Sequence, residues 1–137
     1  MNIVIDANIL IAALLKNGKI RELIVNSPHR LLVPDIHFQE IEEHKEELLE
    51  KSKLSAGEFA TLISTLSNYF SIIESNKILF FLEEAEELIG TIDKDDVPII
   101  ATALAYNCSI WSDDKHFLKQ NKIKIFKTSD IMNMTEE

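Results

Sequence analysis

The stretch Ile3-Val-Ile-Asp-Ala-Asn-Ile-Leu10 decides the fold. Three β-branched residues in succession make both faces of a strand over Asn2 to Asp6 apolar. A central strand of a parallel sheet needs this, because helices cover it on either side. The strand ends in a carboxylate, Asp6, and the pattern switches to a helical run over Asn8 to Lys16, closed by Asn17-Gly18 as a helix stop. Outward from this βα unit, a second helix covers Lys19 to Asn26, Ser27 to Arg30 is a turn, and Leu31 to Val33 is the next strand. Pro34-Asp35 opens a glutamate-rich, mostly solvated helix to Lys51. Ser55-Ala-Gly-Glu58 is a capping box before a helix over Phe59 to Tyr69.

The remainder keeps alternating. Strands are expected at Phe70 to Glu74, Ser109 to Ser112 and Ile123 to Phe126. Helices are expected at Ile78 to Ile89, stopped by Gly90, at Asp96 to Asn107 and at Asp114 to Asn121, with Ser129 capping a terminal turn. Alternating strands and helices give the α/β class: a three-layer α/β/α sandwich around a central parallel sheet.

At 137 residues with three Gly and three Pro, the chain has no composition for a linker and is expected to be one domain over residues 1–137. Hydrophobic residues at 46% exclude disorder despite a net charge of -9. One cysteine, Cys108, excludes an internal disulfide and a cysteine zinc cluster. The longest apolar stretch is broken by Asp6 and Asn8, and Met1-Asn2 offers no basic start for a signal peptide, so a cytoplasmic protein without a membrane partner is expected. Glycine-rich phosphate loops and a Gly-x-Ser-x-Gly elbow are absent, which removes NTPase, dinucleotide and serine-hydrolase readings. His37 and His44 lack the companions of a zinc site and are expected on the surface. Trp111 reads as a core strand residue, and Phe80-Phe81-Leu82 as either deep core or a partner surface.

In an open parallel sheet ligands bind beyond the carboxyl ends of the strands, so acids at those ends carry the functional reading. Asp6 ends the first strand, and Asp113-Asp114 follows the strand over Ser109 to Ser112. Asp96 heads a helical stripe with Ile99, Ile100, Ala103 and Leu104, and Glu40 shares a helix face with Ile36. Taken singly, Asp96 reads as a helix cap and Glu40 as a solvated acid. Gathered at one sheet edge, ionised carboxylates repel unless a cation joins them, and oxygen donors favour Mg²⁺ or Mn²⁺. Such a site can activate water and stabilise charge on a phosphate.

Four segments resemble the motifs of PIN-domain ribonucleases, in that family's order: Ile3-Val-Ile-Asp6-Ala-Asn8-Ile-Leu; Val33-Pro34 with Glu40; Asp96 to Ala103; and Trp111-Ser-Asp-Asp-Lys-His-Phe117. The resemblance spans residues 3 to 117 and implies a metal-dependent endoribonuclease that hydrolyses single-stranded RNA to 5′-phosphate and 3′-hydroxyl ends. It implies Asp6, Glu40, Asp96 and Asp114 as ligands of Mg²⁺ or Mn²⁺, and Asn8 and Ser112 as orienting groups. Many relatives carry a further acid where this chain has His116, which reads as an exposed residue at a helix start; Asp95 and Asp113 are then the acids placed to substitute in part. The small bare domain is similar to the toxin half of toxin-antitoxin pairs, which implies an antitoxin partner and a homodimer.

Five of the fourteen basic residues fall between Lys115 and Lys127, and Lys115, Lys119 and Lys122 are candidates for contact with RNA on an otherwise acidic chain. Two other readings compete. A phosphatase or receiver-like domain would use Asp6 as nucleophile, but Asn8 stands where the accompanying acid is needed. A non-catalytic RNA- or protein-binding module would keep the fold with a vestigial site.

Overall fold

Ile3, Val4 and Ile5 are fully buried at the centre of a five-stranded sheet. The structure, a computed structural model, describes residues 1–15, 18–90 and 94–135. The strands are β1 (Asn2–Ile5), β2 (Arg30–Pro34), β3 (Phe70–Ile73), β4 (Ser109–Trp111) and β5 (Ile125–Phe126). All pair in parallel, in the order β3-β2-β1-β4-β5. The helices are α1 (Ala7–Leu15), α2 (Gly18–Val25), α3 (Ile36–Glu43), α4 (Lys45–Ser52), α5 (Ala56–Ser67), α6 (Leu82–Ala85), α7 (Val97–Tyr106) and α8 (Thr128–Thr135).

Successive strand side chains point to opposite faces, and this builds two cores from one sheet. Ile3, Ile5, Leu31, Val33 and Trp111 pack under α1, α2, α5 and α8. Val4, Leu32 and Ile110 face α7 and the segment around Ile78 to Ile89. The result is the expected α/β/α sandwich. Trp111 is a core residue, and its indole N–H donates to the Thr128 hydroxyl at 3.0 Å. Burying each Ile, Leu or Val side chain of these two cores contributes about 1.5–3 kcal/mol relative to exposure.

The strand order places the site. After β1 the chain builds β2 and β3 outward on one side, then crosses back to lay β4 and β5 on the other. The carboxyl ends of β1 and β4 are therefore neighbours at the point where the winding reverses, which opens a crevice there.

Several element boundaries differ from the sequence expectation. The glutamate-rich helix is two helices, α3 and α4, meeting at His44, whose backbone (φ -105°, ψ 18°) is not helical. It is also less solvated than expected, since His37, Ile41, Leu48 and Ser52 are buried. Asp35 does not cap α3: its carboxylate reaches across to accept from the backbone N–H and hydroxyl of Ser75, at 3.1 and 2.6 Å, and clamps the exit of β3.

The helix expected over Ile78 to Ile89 is a succession of short turns around α6. Its adjacent apolar residues cannot share one face: Ile78, Ala85 and Ile89 are buried, while Leu79 and Phe80 stand 62% and 90% exposed. The Phe80 question is thus settled in favour of an exposed surface. Glu86–Gly90 is a wide turn in which a Cβ at Gly90 would meet the Glu86 Cγ at 2.6 Å, so only glycine fits without displacing that side chain. Lys115–Lys119 forms a 3₁₀ turn where an α-helix was expected, and β5 is two residues long. The terminal helix begins at Thr128, with Asp130 accepting from the Lys127 N–H, so Ser129 lies inside it and caps nothing. Gly18 opens α2, and the helix stop read at Asn17 falls outside the described residues.

The capping box at α5 has both reciprocal bonds, Glu58 N–H to Ser55 Oγ at 3.1 Å and Ser55 N–H to Glu58 Oε1 at 3.0 Å. It fixes the start of the helix that buries Phe59 and Leu66. Ser55→Ala should lower stability by about 1 kcal/mol, read as a fall of about 3 °C in thermal melting. An unchanged melting temperature would show that packing alone sets this helix start.

Candidate active site

Asp6 lies one residue beyond β1, where its backbone N–H still bonds to the Trp111 carbonyl at 3.1 Å. Its own carbonyl accepts from Ile9 and Leu10, so the residue is at once the end of the strand and the start of α1. The carboxylate is buried, 3% exposed, and accepts the Ser112 hydroxyl proton at 2.7 Å. The backbone N–H groups of Asn8 and Ala7 also point to it. Burial nevertheless dominates and raises the Asp6 pKa above its ordinary value, with the nearby Asp114 charge adding to the rise.

Ser112 serves two acids. Its Oγ donates to Asp6 and accepts the backbone N–H of Asp114 at 3.0 Å, which sets where the chain turns after β4. Asp114 then caps the 3₁₀ turn by accepting the His116 N–H at 2.9 Å. Asp113 faces elsewhere. Its two oxygens hold the Thr128 N–H and hydroxyl, at 2.8 and 2.6 Å, and tie this turn to α8.

Asp96 occupies the N-cap position of α7 but makes no side-chain cap bond, which removes the plain capping role. It is 7% exposed and faces the same crevice. Glu40 comes from α3 and is half-buried; burial raises its pKa, and the charges of Asp95, Glu43 and Asp6 push the same way against a smaller pull from His44. Asp95 is exposed at the crevice wall. Asn8 gives Asp6 its backbone N–H, and its side chain is exposed at the rim.

The crevice has a volume of about 410 Å³. Asp6, Glu40, Asp95, Asp96 and Asp114 line it from four directions, over an apolar floor that includes Ile11, Leu48 and Ile99. Residues of α4 that the sequence reading passed over close one side: Glu47 and Lys51, ion-paired at 2.8 Å, together with His44. Their spacing, with Leu48, is that of one helix face, and this was the available signal. His44 is exposed as expected, but His37 is not. His37 is 2% exposed, and burial lowers its pKa to about 4 against a smaller opposing pull from the backbone of Ile5, so its ring is neutral packing behind α3.

The lysine candidates separate. Lys115 and Lys119 are exposed on the turn that starts at Asp114. Lys122 is ion-paired with Glu84 and lines a second cleft beside Asn107 and Ser109, at the amino end of β4 and thus away from Ser112.

The donor set fits a divalent cation. Carboxylates from separate elements face one another, burial and mutual repulsion raise Asp6 and Glu40, and a cation relieves both effects. Ligand atoms of Asp96, Asp114 and His116 lie within 4.8 Å of one another. His116 therefore departs from the expected exposed helix-start residue: its ring is half-exposed and turned toward two of the acids.

A parallel α/β/α sandwich with an acidic crevice at its switch point is the class of protein that fold and site define. The family model for the PIN domain matches residues 4–133, and the chain belongs to the PIN-domain family, a family of nucleases. The chain is also similar in fold to VapBC2 from Rickettsia felis, a structure solved bound to a DNA fragment from their promoter. The likeness has a TM-score of 0.71 at 17% identity and covers 93% of this chain and 98% of that one. No curated protein sequence matches the chain significantly.

The raised acids fix the sign of a pH effect. A carboxyl whose folded pKa lies above its unfolded value binds its proton more tightly in the fold, so its contribution favours folding at low pH and is lost as pH rises through the window above about 3.8 for Asp6 and 4.5 for Glu40. In EDTA, the melting temperature of the parent should fall on going from about pH 5 to pH 8 more steeply than that of an Asp6→Asn/Glu40→Gln variant. Parallel curves would show that these two acids ionise as freely in the fold as in the unfolded chain.

Proposed function

We propose that residues 1–137 act as a single metal-dependent endoribonuclease domain that hydrolyses single-stranded RNA, with Mg²⁺ or Mn²⁺ as cofactor. The observation that supports this reading most is the convergence of Asp6, Glu40, Asp96 and Asp114 on one crevice at the carboxyl ends of β1 and β4. These four acids would hold the cation. When bound, the divalent ion supplies an activated water and charge neutralisation at the phosphodiester.

The protein's own groups supply placement. Ser112 keeps Asp6 and Asp114 at a fixed separation, so two donors do not have to be ordered when the cation arrives. The backbone N–H groups at the start of α1 hold the Asp6 carboxylate in one orientation. Lys51, across the crevice and paired with Glu47, would bring a positive charge to an RNA phosphate in a mainly acidic crevice, and Lys115 and Lys119 would extend that contact from the turn after Asp114. Asn8 at the rim is placed to orient substrate. Nothing at Asn8 can supply the acid that an Asp-nucleophile phosphatase requires.

The similar fold supports a protein partner as part of this proposal. VapBC2 was solved on DNA from its own promoter, and its two-component name supports a protein partner for this chain, as the toxin of a toxin-antitoxin pair. A homodimer and a cytoplasmic location complete the proposal. Among the described residues no helix is long and apolar enough to cross a membrane.

The test is cleavage of mixed structured and unstructured RNA with Mg²⁺, Mn²⁺ or EDTA. Activity is expected with either ion and none in EDTA, and cleavage that survives EDTA would remove the metal mechanism. Asp114→Asn should cost about a hundredfold or more, the loss typical of a missing ligand group. Asp113→Asn should cost less than about tenfold in rate while lowering the melting temperature, because it releases Thr128. The reverse ranking would exchange the roles of the two acids.

Charge reversal maps the RNA path. Lys51→Glu should weaken binding of a single-stranded oligonucleotide clearly, and Lys122→Glu should leave it nearly unchanged. Equal losses would place RNA around both ends of β4.

A further inference from the structure

We infer that His116 is a nitrogen ligand of the divalent ion and makes this crevice favour Mn²⁺ over Mg²⁺ more strongly than an all-oxygen site would. The inference rests on the proposed metal site and adds a donor to it. His116 follows Asp114 by two residues, and its backbone N–H is held by the Asp114 carboxylate at 2.9 Å. That tight turn folds the ring back over the same acid. Its Nδ1 lies 3.6 Å from Asp114 Oδ1 and 4.0 Å from Asp96 Oδ2.

These separations match donors that share an ion. Ligand atoms at about 2.1 Å from an octahedral cation stand about 3.0 Å apart in adjacent positions and about 4.2 Å apart in opposite ones. Both His116 distances fall between those limits, and all three ligand atoms lie within 4.8 Å of one another, so small side-chain rotations close the site. The ring is 45% exposed, which leaves it room for that rotation, whereas Asp96 is fixed by burial.

The donor type sets the selectivity. Mg²⁺ is a hard ion that keeps oxygen ligands and water, while Mn²⁺, a transition-metal ion that also favours oxygen, takes an imidazole nitrogen with less loss than Mg²⁺ does. Replacing an acid by a neutral nitrogen also removes one negative charge from the crevice. That weakens the electrostatic hold on either ion, and only the ion that bonds well to nitrogen recovers it.

Pulsed electron paramagnetic resonance of Mn²⁺ bound to the full chain reads nitrogen ligation directly, without turnover. The parent should show ¹⁴N modulation from a coordinated imidazole. His116→Ala should still bind Mn²⁺ but lose the modulation, and His44→Ala, which changes the histidine on the crevice wall, should keep it. Calorimetric titration should show the ratio of Mg²⁺ to Mn²⁺ dissociation constants falling by about tenfold in His116→Asp, with both ions still bound. Mn²⁺ bound to the parent without ¹⁴N modulation, or modulation that persists in His116→Ala, overturns the ligand assignment and leaves the metal site standing. Absence of Mn²⁺ binding to the parent overturns both, and binding that Asp6→Asn/Asp96→Asn does not weaken shows that the ion sits elsewhere.

Discussion

The Ser112 hydroxyl and the Asp6 carboxylate are 106 residues apart in sequence and 2.7 Å apart in space, and this bond depends on β4 lying directly against β1. Everything at the crevice follows from that adjacency. Ile5 pairs with Trp111, so Asp6 and Ser112 emerge side by side from the sheet, and the next residues turn outward together. A slip of one residue in this register would send Trp111 to the opposite layer and carry Ser112 away from Asp6. The apolar packing of Ile3, Ile5 and Trp111 thus specifies the position of two polar groups that the core itself gains nothing from.

That arrangement opposes its own ionisation. Asp6 is surrounded by donors and still has a raised pKa, because burial outweighs the hydrogen bonds and Asp114 adds like charge. Glu40 is raised by burial and by Asp95. A fold optimised for stability alone would have apolar or singly charged residues here, so this local cost supports the proposed cation site. The two large cores, one on each sheet face, make such a local cost tolerable.

The sheet was legible in the sequence because its strands announce themselves by composition: β1 and β4 fall within a residue or so of expectation, and both end in an acid-bearing turn. The crossovers were less legible. Nothing at His44 signals a break, since it is neither glycine nor proline, yet α3 and α4 divide there while Ile41 and Leu48 are buried in the same core. Ile78 to Ile89 has enough apolar residues for a helix, but they outnumber the positions that one face can bury. For the site, acids at strand ends can be found one at a time. His44, Glu47 and Lys51 show in the sequence as one helix face, but their place at the crevice depends on the break that the sequence hides.

Asp113 and Asp114 show how a strand-to-helix turn divides chemically identical neighbours. Successive side chains leave an extended backbone in opposite directions, so only one of the pair can enter the crevice. Asp114 is extended (φ -81°, ψ 125°), receives the Ser112 Oγ at its N–H, and lines the crevice with its carboxylate. Asp113, pointing outward, closes a chain of hydrogen bonds from the Trp111 indole through the Thr128 hydroxyl. The outward acid therefore holds the core tryptophan and α8 in place, and this anchors the strand end from which the inward acid projects. Backbone direction alone sends two identical side chains to different surroundings, Asp114 to the crevice and Asp113 to α8.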